Sequence, residues 1–117
     1  MPAEPGAAPP LKPNHHLILL LLAEEPTYGV DLLERLDRRS GGAIRLNAGS
    51  LYRTIGNLVD AGLVEPLDEA SGAEGMGAPR KVYRVTPHGL AALRAEARRQ
   101  ESLLEAARAL DLLEERA

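Results

Sequence analysis

The chain has 117 residues, with 14 basic and 17 acidic side chains, a net charge of −3, 44% hydrophobic residues, three Tyr and neither Phe nor Trp. That length suits one small domain whose core must come from Leu, Ala, Val and Ile, which favours packed helices over an aromatic-rich β-sandwich. The lack of Cys excludes disulfide scaffolds, thiolate metal sites and cysteine nucleophiles.

Met1 to Pro13 carries five Pro among Ala and Gly, so it buries too little surface to offset its ordering entropy and is expected to be a disordered arm, residues 1–13. Asn14 then offers an N-cap for a first helix over His15 to Glu24. The apolar run Leu17 to Ala23 within it falls far short of the roughly 20 residues that cross a bilayer. No basic segment followed by a long apolar one marks a secretory signal. A cytoplasmic protein with no membrane partner is therefore expected. Pro26 stops the first helix, and Thr27 is expected to cap a second with Val30, Leu33 and Leu36 as its apolar stripe. Ser40-Gly41-Gly42 ends that helix, and Ala43 to Leu46 has the length of a short strand.

A third helix is expected from Asn47 to Ala61. Leu51, Ile55, Leu58 and Val59 fall at i, i+4, i+7 and i+8 and form its core stripe. Ser50, Arg53, Thr54 and Asn57 take the other face, which the spacing reads as free of acid. Gly62 is the expected stop. Leu63–Leu67 and Lys81–Thr86 read as two strands of a β-hairpin whose tip, Asp68 to Arg80, contains Gly72, Gly75 and Gly77. Thr86-Pro87 is a strong start signal for a last helix. That helix reads through Leu90, Leu93 and Ala97 to Leu110 and Leu113.

The order helix, helix, short strand, helix, hairpin, long helix predicts a mainly α fold with a small β-hairpin. It is the winged variant of the helix-turn-helix, residues 14–86, plus a C-terminal dimerisation helix, residues 87–117. In that fold the third helix enters the DNA major groove and the hairpin follows the backbone. Charge placement agrees better than the total does. Between Pro79 and Arg99 stand Arg80, Lys81, Arg84, Arg94, Arg98 and Arg99 against Glu96 alone, and phosphates respond to the local field.

These placements leave two readings of the exposed residues. One is contact with DNA; the other is, for the third helix, an ordinary solvated face and, for Arg80 and Lys81, a charged strand edge that blocks pairing. The first reading assigns these contacts. Arg53 suits a guanine edge or a phosphate, Asn57 an adenine, and Ser50 a phosphate near the helix start. Thr54 shares their face. Tyr52 borders the apolar stripe, where its ring can pack while its hydroxyl reaches a phosphate. Arg80 and Lys81 lie where the wing returns to the sheet, within reach of flanking phosphates. The seam Leu103, Leu104, Ala106, Ala107, Leu110 and Leu113 outlasts the domain and is expected to meet the same helix of a second copy, the alternative being that it folds back on the chain's own first helix. Other chemistry lacks a constellation. His15 and His16 project about 100° apart on a helix and have no third ligand nearby, so no metal is expected. The glycine-rich tip does not open a helix after a strand, so a phosphate-cradling nucleotide loop is not expected. Scattered Ser and His residues make no catalytic set, so an enzyme is not expected, nor any cofactor.

Pro26-Thr27-Tyr28-Gly29, Gly49-Ser50-Leu51-Tyr52-Arg53, Gly62-Leu63-Val64 and the run Gly77 to Gly89 resemble the signature blocks of the PadR family of bacterial transcriptional regulators, in the right order from about Leu17 to Leu93. The resemblance implies a homodimeric winged-helix regulator, most often a repressor, on a palindromic operator in double-stranded DNA. The length is similar to that of the short subfamily with one C-terminal dimerisation helix. The chain departs from the family in carrying Glu69 and Glu74 at the hairpin tip and no Trp of the kind that lines a drug-binding pore. No residue identifies a small-molecule effector. The alternative of a different class is a winged-helix adaptor for other proteins, without DNA binding.

Overall fold

Residues 9–67 and 81–113 are described by the structure, a computed structural model. The first helix, α1, runs Pro13–Glu24, with Lys12 as N-cap and Pro13 at the first helical position, two residues earlier than an Asn14 cap would place it. Its apolar run is surrounded. Ile18, Leu19, Leu21 and Leu22 are all buried, and α1 packs against the second, third and fourth helices and a β-strand. Fully burying each such side chain stabilises the fold by about 1.5–3 kcal/mol, which makes α1 the centre of the core.

After Pro26 the chain forms a strand rather than a cap. β1, Thr27–Tyr28, pairs antiparallel with a later strand. Buried Thr27 donates its hydroxyl to the Glu25 carbonyl and accepts from Arg35 Nη1 at 2.7 Å, so it is not available to cap α2. Helix α2, Gly29–Arg39, buries Leu32 and Leu36 with Leu33 half-buried, while Val30 is 48% exposed. The buried stripe is thus shifted by about one position from Val30/Leu33/Leu36. Gly41 ends α2 at φ 64°, where the Gly42 amide donates to the Asp37 carbonyl and the Gly41 amide to that of Arg38. Ala43 to Leu46 forms no strand; Ile44 and Leu46 instead pack against the core.

Helix α3, Ala48–Asp60, starts as its sequence predicts, with Asn47 Oδ1 accepting the Ser50 amide at 2.8 Å. Gly62 at φ 80° closes it, and β2 follows at Val64–Leu67. β3, Val82–Val85, lies between the other strands, in the order β1-β3-β2, with Thr27 opposite Tyr83 and Glu65 opposite Arg84. The position at Ala43–Leu46 could not have joined beside β3, because β1 and β2 occupy both of its edges. The hairpin tip, Asp68 to Arg80, lies outside the described residues.

Thr86 caps α4, Pro87–Ala109, through a 3.0 Å bond from the Gly89 amide. Gly89 packs so closely on the Leu63 carbonyl and Val85 that no Cβ fits there. Two expectations fail at the chain's ends. Leu11 packs on the core, and its amide donates to Glu96 Oε1 at 2.9 Å, so the arm's last residues are held rather than loose; residues 1–8 lie outside the described residues. And α4 stops at Ala109. Leu110 is its C-cap, Asp111 turns left-handed at φ 60°, and the Leu112 amide donates back to the Ala107 carbonyl. Leu110 and Leu113 therefore do not extend the helical seam.

Candidate nucleic-acid interface

Helix α3 presents two unlike sides. Leu51, Ile55 and Leu58 are buried in the core, with Val59 half-buried. At about 100° per residue, the outward side is centred on Arg53, flanked by Gly49, Gly56 and Asn57, all exposed. Neither the Arg53 guanidinium nor the Asn57 amide has a hydrogen-bond partner among the described residues, so both are available to a ligand. Ser50 is half-buried at the edge of this side. Thr54 lies nearer the core, and its hydroxyl donates to the Ser50 carbonyl at 2.9 Å, which commits it to its own helix. Asp60, exposed at the last helical position, falls on the Arg53 side. The face expected to be free of acid therefore has a carboxylate at its C-terminal end, and its attraction for phosphate is concentrated in its first two turns.

Tyr52 is 46% exposed, and its ring lies over the first residue of α2. A Cβ on Gly29 would come within 2.8 Å of the Tyr52 hydroxyl. Tyr83 stands close by, and burial first, then Tyr52, push its phenol above the usual range. The hydroxyl end of the ring thus lies against the start of α2, while Tyr52 as a whole remains exposed. Sequence reasoning missed the Gly29–Tyr52 contact. The adjacent Tyr28-Gly29 pair was the available signal, a glycine at a helix start where a neighbour comes close.

The sheet side contributes one exposed cation of the expected pair. Lys81 is exposed, with its carbonyl accepting the Gly29 amide at 3.4 Å. Arg80 lies outside the described residues. The basic run is broken up by its own fold. Arg84 pairs across the strands with Glu65 at 2.7 Å, and Arg99 with Glu96 at 2.8 Å. Glu96 itself is only 6% exposed. It accepts the Leu11 amide, Arg99 Nη2 and, at 3.4 Å, Gln100 Nε2, and the first of these leads in holding its carboxyl at about 2.

A second surface runs along α1 and α4, where His16, Leu20, Ala97, Gln100, Glu101, Leu104 and Arg108 line a groove. Leu103 is 69% exposed, Ala106 is exposed, Leu104 is less exposed and Ala107 is half-buried. Leu110, Leu112 and Leu113 add exposed apolar surface beyond the end of the helix. Among the described residues no group of three His, Asp or Glu is placed to hold a metal ion, and no helix is long and apolar enough to cross a membrane. Burial, then Lys12, lower the pKa of His15.

Comparison with known proteins gives one consistent answer. The sequence profile described as the transcriptional regulator PadR-like family matches residues 18–95. A PadR family transcriptional regulator from Eggerthella lenta is 30% identical over 83% of this chain and 80% of that one, with a TM-score of 0.62. A PadR-like transcriptional regulator from Bacillus cereus is 24% identical over 86% and 93%, with a TM-score of 0.68. RosR from H. salinarum is 24% identical over 88% and 96%, with a TM-score of 0.60. The last two bear on the fold alone. No curated protein matches the chain.

Proposed function

The chain belongs to the PadR-like family of transcriptional regulators, DNA-binding proteins and not enzymes, and on that premise we propose that it is a homodimeric cytoplasmic repressor that reads a palindromic operator with α3. The observation that carries this reading is the outward side of α3, where Arg53 and Asn57 stand exposed and unpartnered among the described residues on a helix fixed at both ends. Two such helices would enter successive major grooves about 34 Å apart. Ser50, Tyr52 and Lys81, with Arg80, would hold flanking phosphates, contacts that position a protein without reading sequence. Thr54 supports this face from within the helix.

The partner copy is assigned to the groove between α1 and α4. Leu103, Leu104, Ala106 and Ala107 supply its helical seam, and Leu110 and Leu113 its apolar margin past the helix end. One recognition helix makes few base contacts, and coupling two half-sites raises affinity to a useful level. A small-molecule effector would act by changing the angle between protomers and so misplacing one α3. The test is a fluorescence-anisotropy titration against DNA from the protein's own promoter region at two salt concentrations, with an unrelated duplex as control. Tight, salt-dependent binding with a clear margin over the control is expected. A folded dimer that binds neither duplex would overturn the reading in favour of a protein-interaction adaptor.

A further inference from the structure

Of the seven glycines among the described residues, five are explained by the fold itself. Gly41, Gly42 and Gly62 hold φ values of 64°, 86° and 80°, the left-handed region that side chains disfavour. Gly29 lies under the Tyr52 ring, and Gly89 against the Leu63 carbonyl. Gly49 and Gly56 have no such reason. A Cβ at Gly49 would meet only Asn47 Oδ1 at 3.5 Å, an ordinary contact, and one at Gly56 would meet nothing within 4 Å. Neither has a positive φ. Glycine is the poorest helix former after proline, so the fold would be better served by alanine at both positions.

The two unexplained glycines are seven residues apart on one helix, and both are exposed. Seven residues is about two turns, which places them on the same side. Arg53 lies between them, four positions after Gly49 and three before Gly56, and it makes no hydrogen bond or ion pair with any described residue. Arg53 is thus a long cation with a bare backbone position in the turn before it and another in the turn after it, on the side that Asn57 and Asp60 share.

We propose that Gly49 and Gly56 are specificity-determining residues: by leaving α3 without side chains on either side of Arg53, they let its backbone sit deep enough in the major groove for Arg53 to reach a base edge. This rests on the DNA-binding reading above and goes beyond it, because it assigns a role to positions that carry no side-chain chemistry. A methyl group at either glycine would occupy the first layer of contact and hold the helix away from the bases. Contacts to phosphates, made by longer and more flexible side chains, would survive the displacement.

The fold and the function then pull Gly56 in opposite directions, and Gly56→Ala separates them. Duplexes selected by the wild-type protein from a random-sequence pool would be titrated by fluorescence anisotropy beside an unrelated duplex, and thermal unfolding would be recorded for wild type, Gly56→Ala and Gly49→Ala. Gly56→Ala is expected to raise Tm. Both variants are expected to bind the selected duplex about tenfold or more weakly, while affinity for the unrelated duplex stays within about twofold of wild type. Affinity for the selected duplex within about twofold of wild type in both variants would overturn the proposal, as would an equal loss on both duplexes. If the wild-type protein enriches no duplex at all, the DNA-binding reading fails first and this proposal with it. A selective wild-type protein with unaffected variants would refute the glycine assignment alone.

Discussion

Replacing Glu96 with Gln should weaken the fold by an amount that depends on pH in a defined way. The Glu96 carboxylate, 6% exposed, accepts three donors, the Leu11 amide at 2.9 Å, Arg99 Nη2 at 2.8 Å and Gln100 Nε2 at 3.4 Å. Together they hold its carboxyl at about 2 against an ordinary 4.5. That difference corresponds to about 3 kcal/mol in favour of the folded state, an upper figure because solvent beside α4 screens part of it. Gln keeps one acceptor oxygen for the Leu11 amide but loses the charge facing Arg99, so a loss of about 2 kcal/mol at pH 7 is expected. The folded-state value lies below the unfolded one, so the stabilisation is complete above about pH 5 and fades as pH falls from 4.5 towards 2. Urea denaturation of wild type and Glu96→Gln at pH 7 and pH 3 tests this directly. The gap between the two proteins should shrink by more than half at pH 3. A gap of the same size at both pH values, or one below about 0.5 kcal/mol at pH 7, would refute the assignment of charge to this clasp.

Three other substitutions probe separate parts of the molecule. Arg53→Ala should weaken binding to the preferred DNA sequence by about 1–3 kcal/mol in an anisotropy titration, the usual worth of one good base contact. Leu104→Glu places a charge in the groove between α1 and α4 and should shift the protein towards monomer by light scattering; an undiminished dimer would place the interface elsewhere. Gly89→Ala drives a methyl group into the Leu63 carbonyl and Val85, and should cost about 1–3 kcal/mol in thermal or chemical unfolding.

Signals confined to a few neighbouring residues were legible in the sequence. Thr86-Pro87 before α4 is a cap whose partner lies three residues on, and it forms the expected bond. Helix α3 begins beside Asn47 as expected, and there the structure adds the cap, with Asn47 Oδ1 accepting the Ser50 amide. The core stripe of α3 was equally clear, because four apolar residues at helical spacing leave one solution. What depended on distant partners was hidden. Thr27–Tyr28 is too short to show alternation and becomes a strand only because β3 has a free edge beside it. The Glu96 clasp joins residues 85 positions apart, which no local pattern announces. The stop at Asp111 was missed because Leu110 and Leu113 continue the apolar spacing, while an aspartate in left-handed backbone ends the helix. On the α3 face, Arg53 and Asn57 stood out for their chemistry, whereas the glycines beside them carry none.

The central position of β3 bears on how the protein is made. Its partners are Thr27 and Tyr28 on one side and Val64 to Leu67 on the other, so the sheet cannot close until the chain has been synthesised as far as Val85. The Thr86 amide then ties to the Leu63 carbonyl, and its hydroxyl to that of Gly62, immediately after α3. Until that point a nascent chain holds α1, α2 and α3 with the apolar sides of all three lacking the sheet and the start of α4. Pairings of such long sequence separation form late and slowly. A ribosome-bound fragment ending before Lys81 should therefore be protease-sensitive and inert towards DNA. Half-made copies would then not compete with the finished protein for DNA.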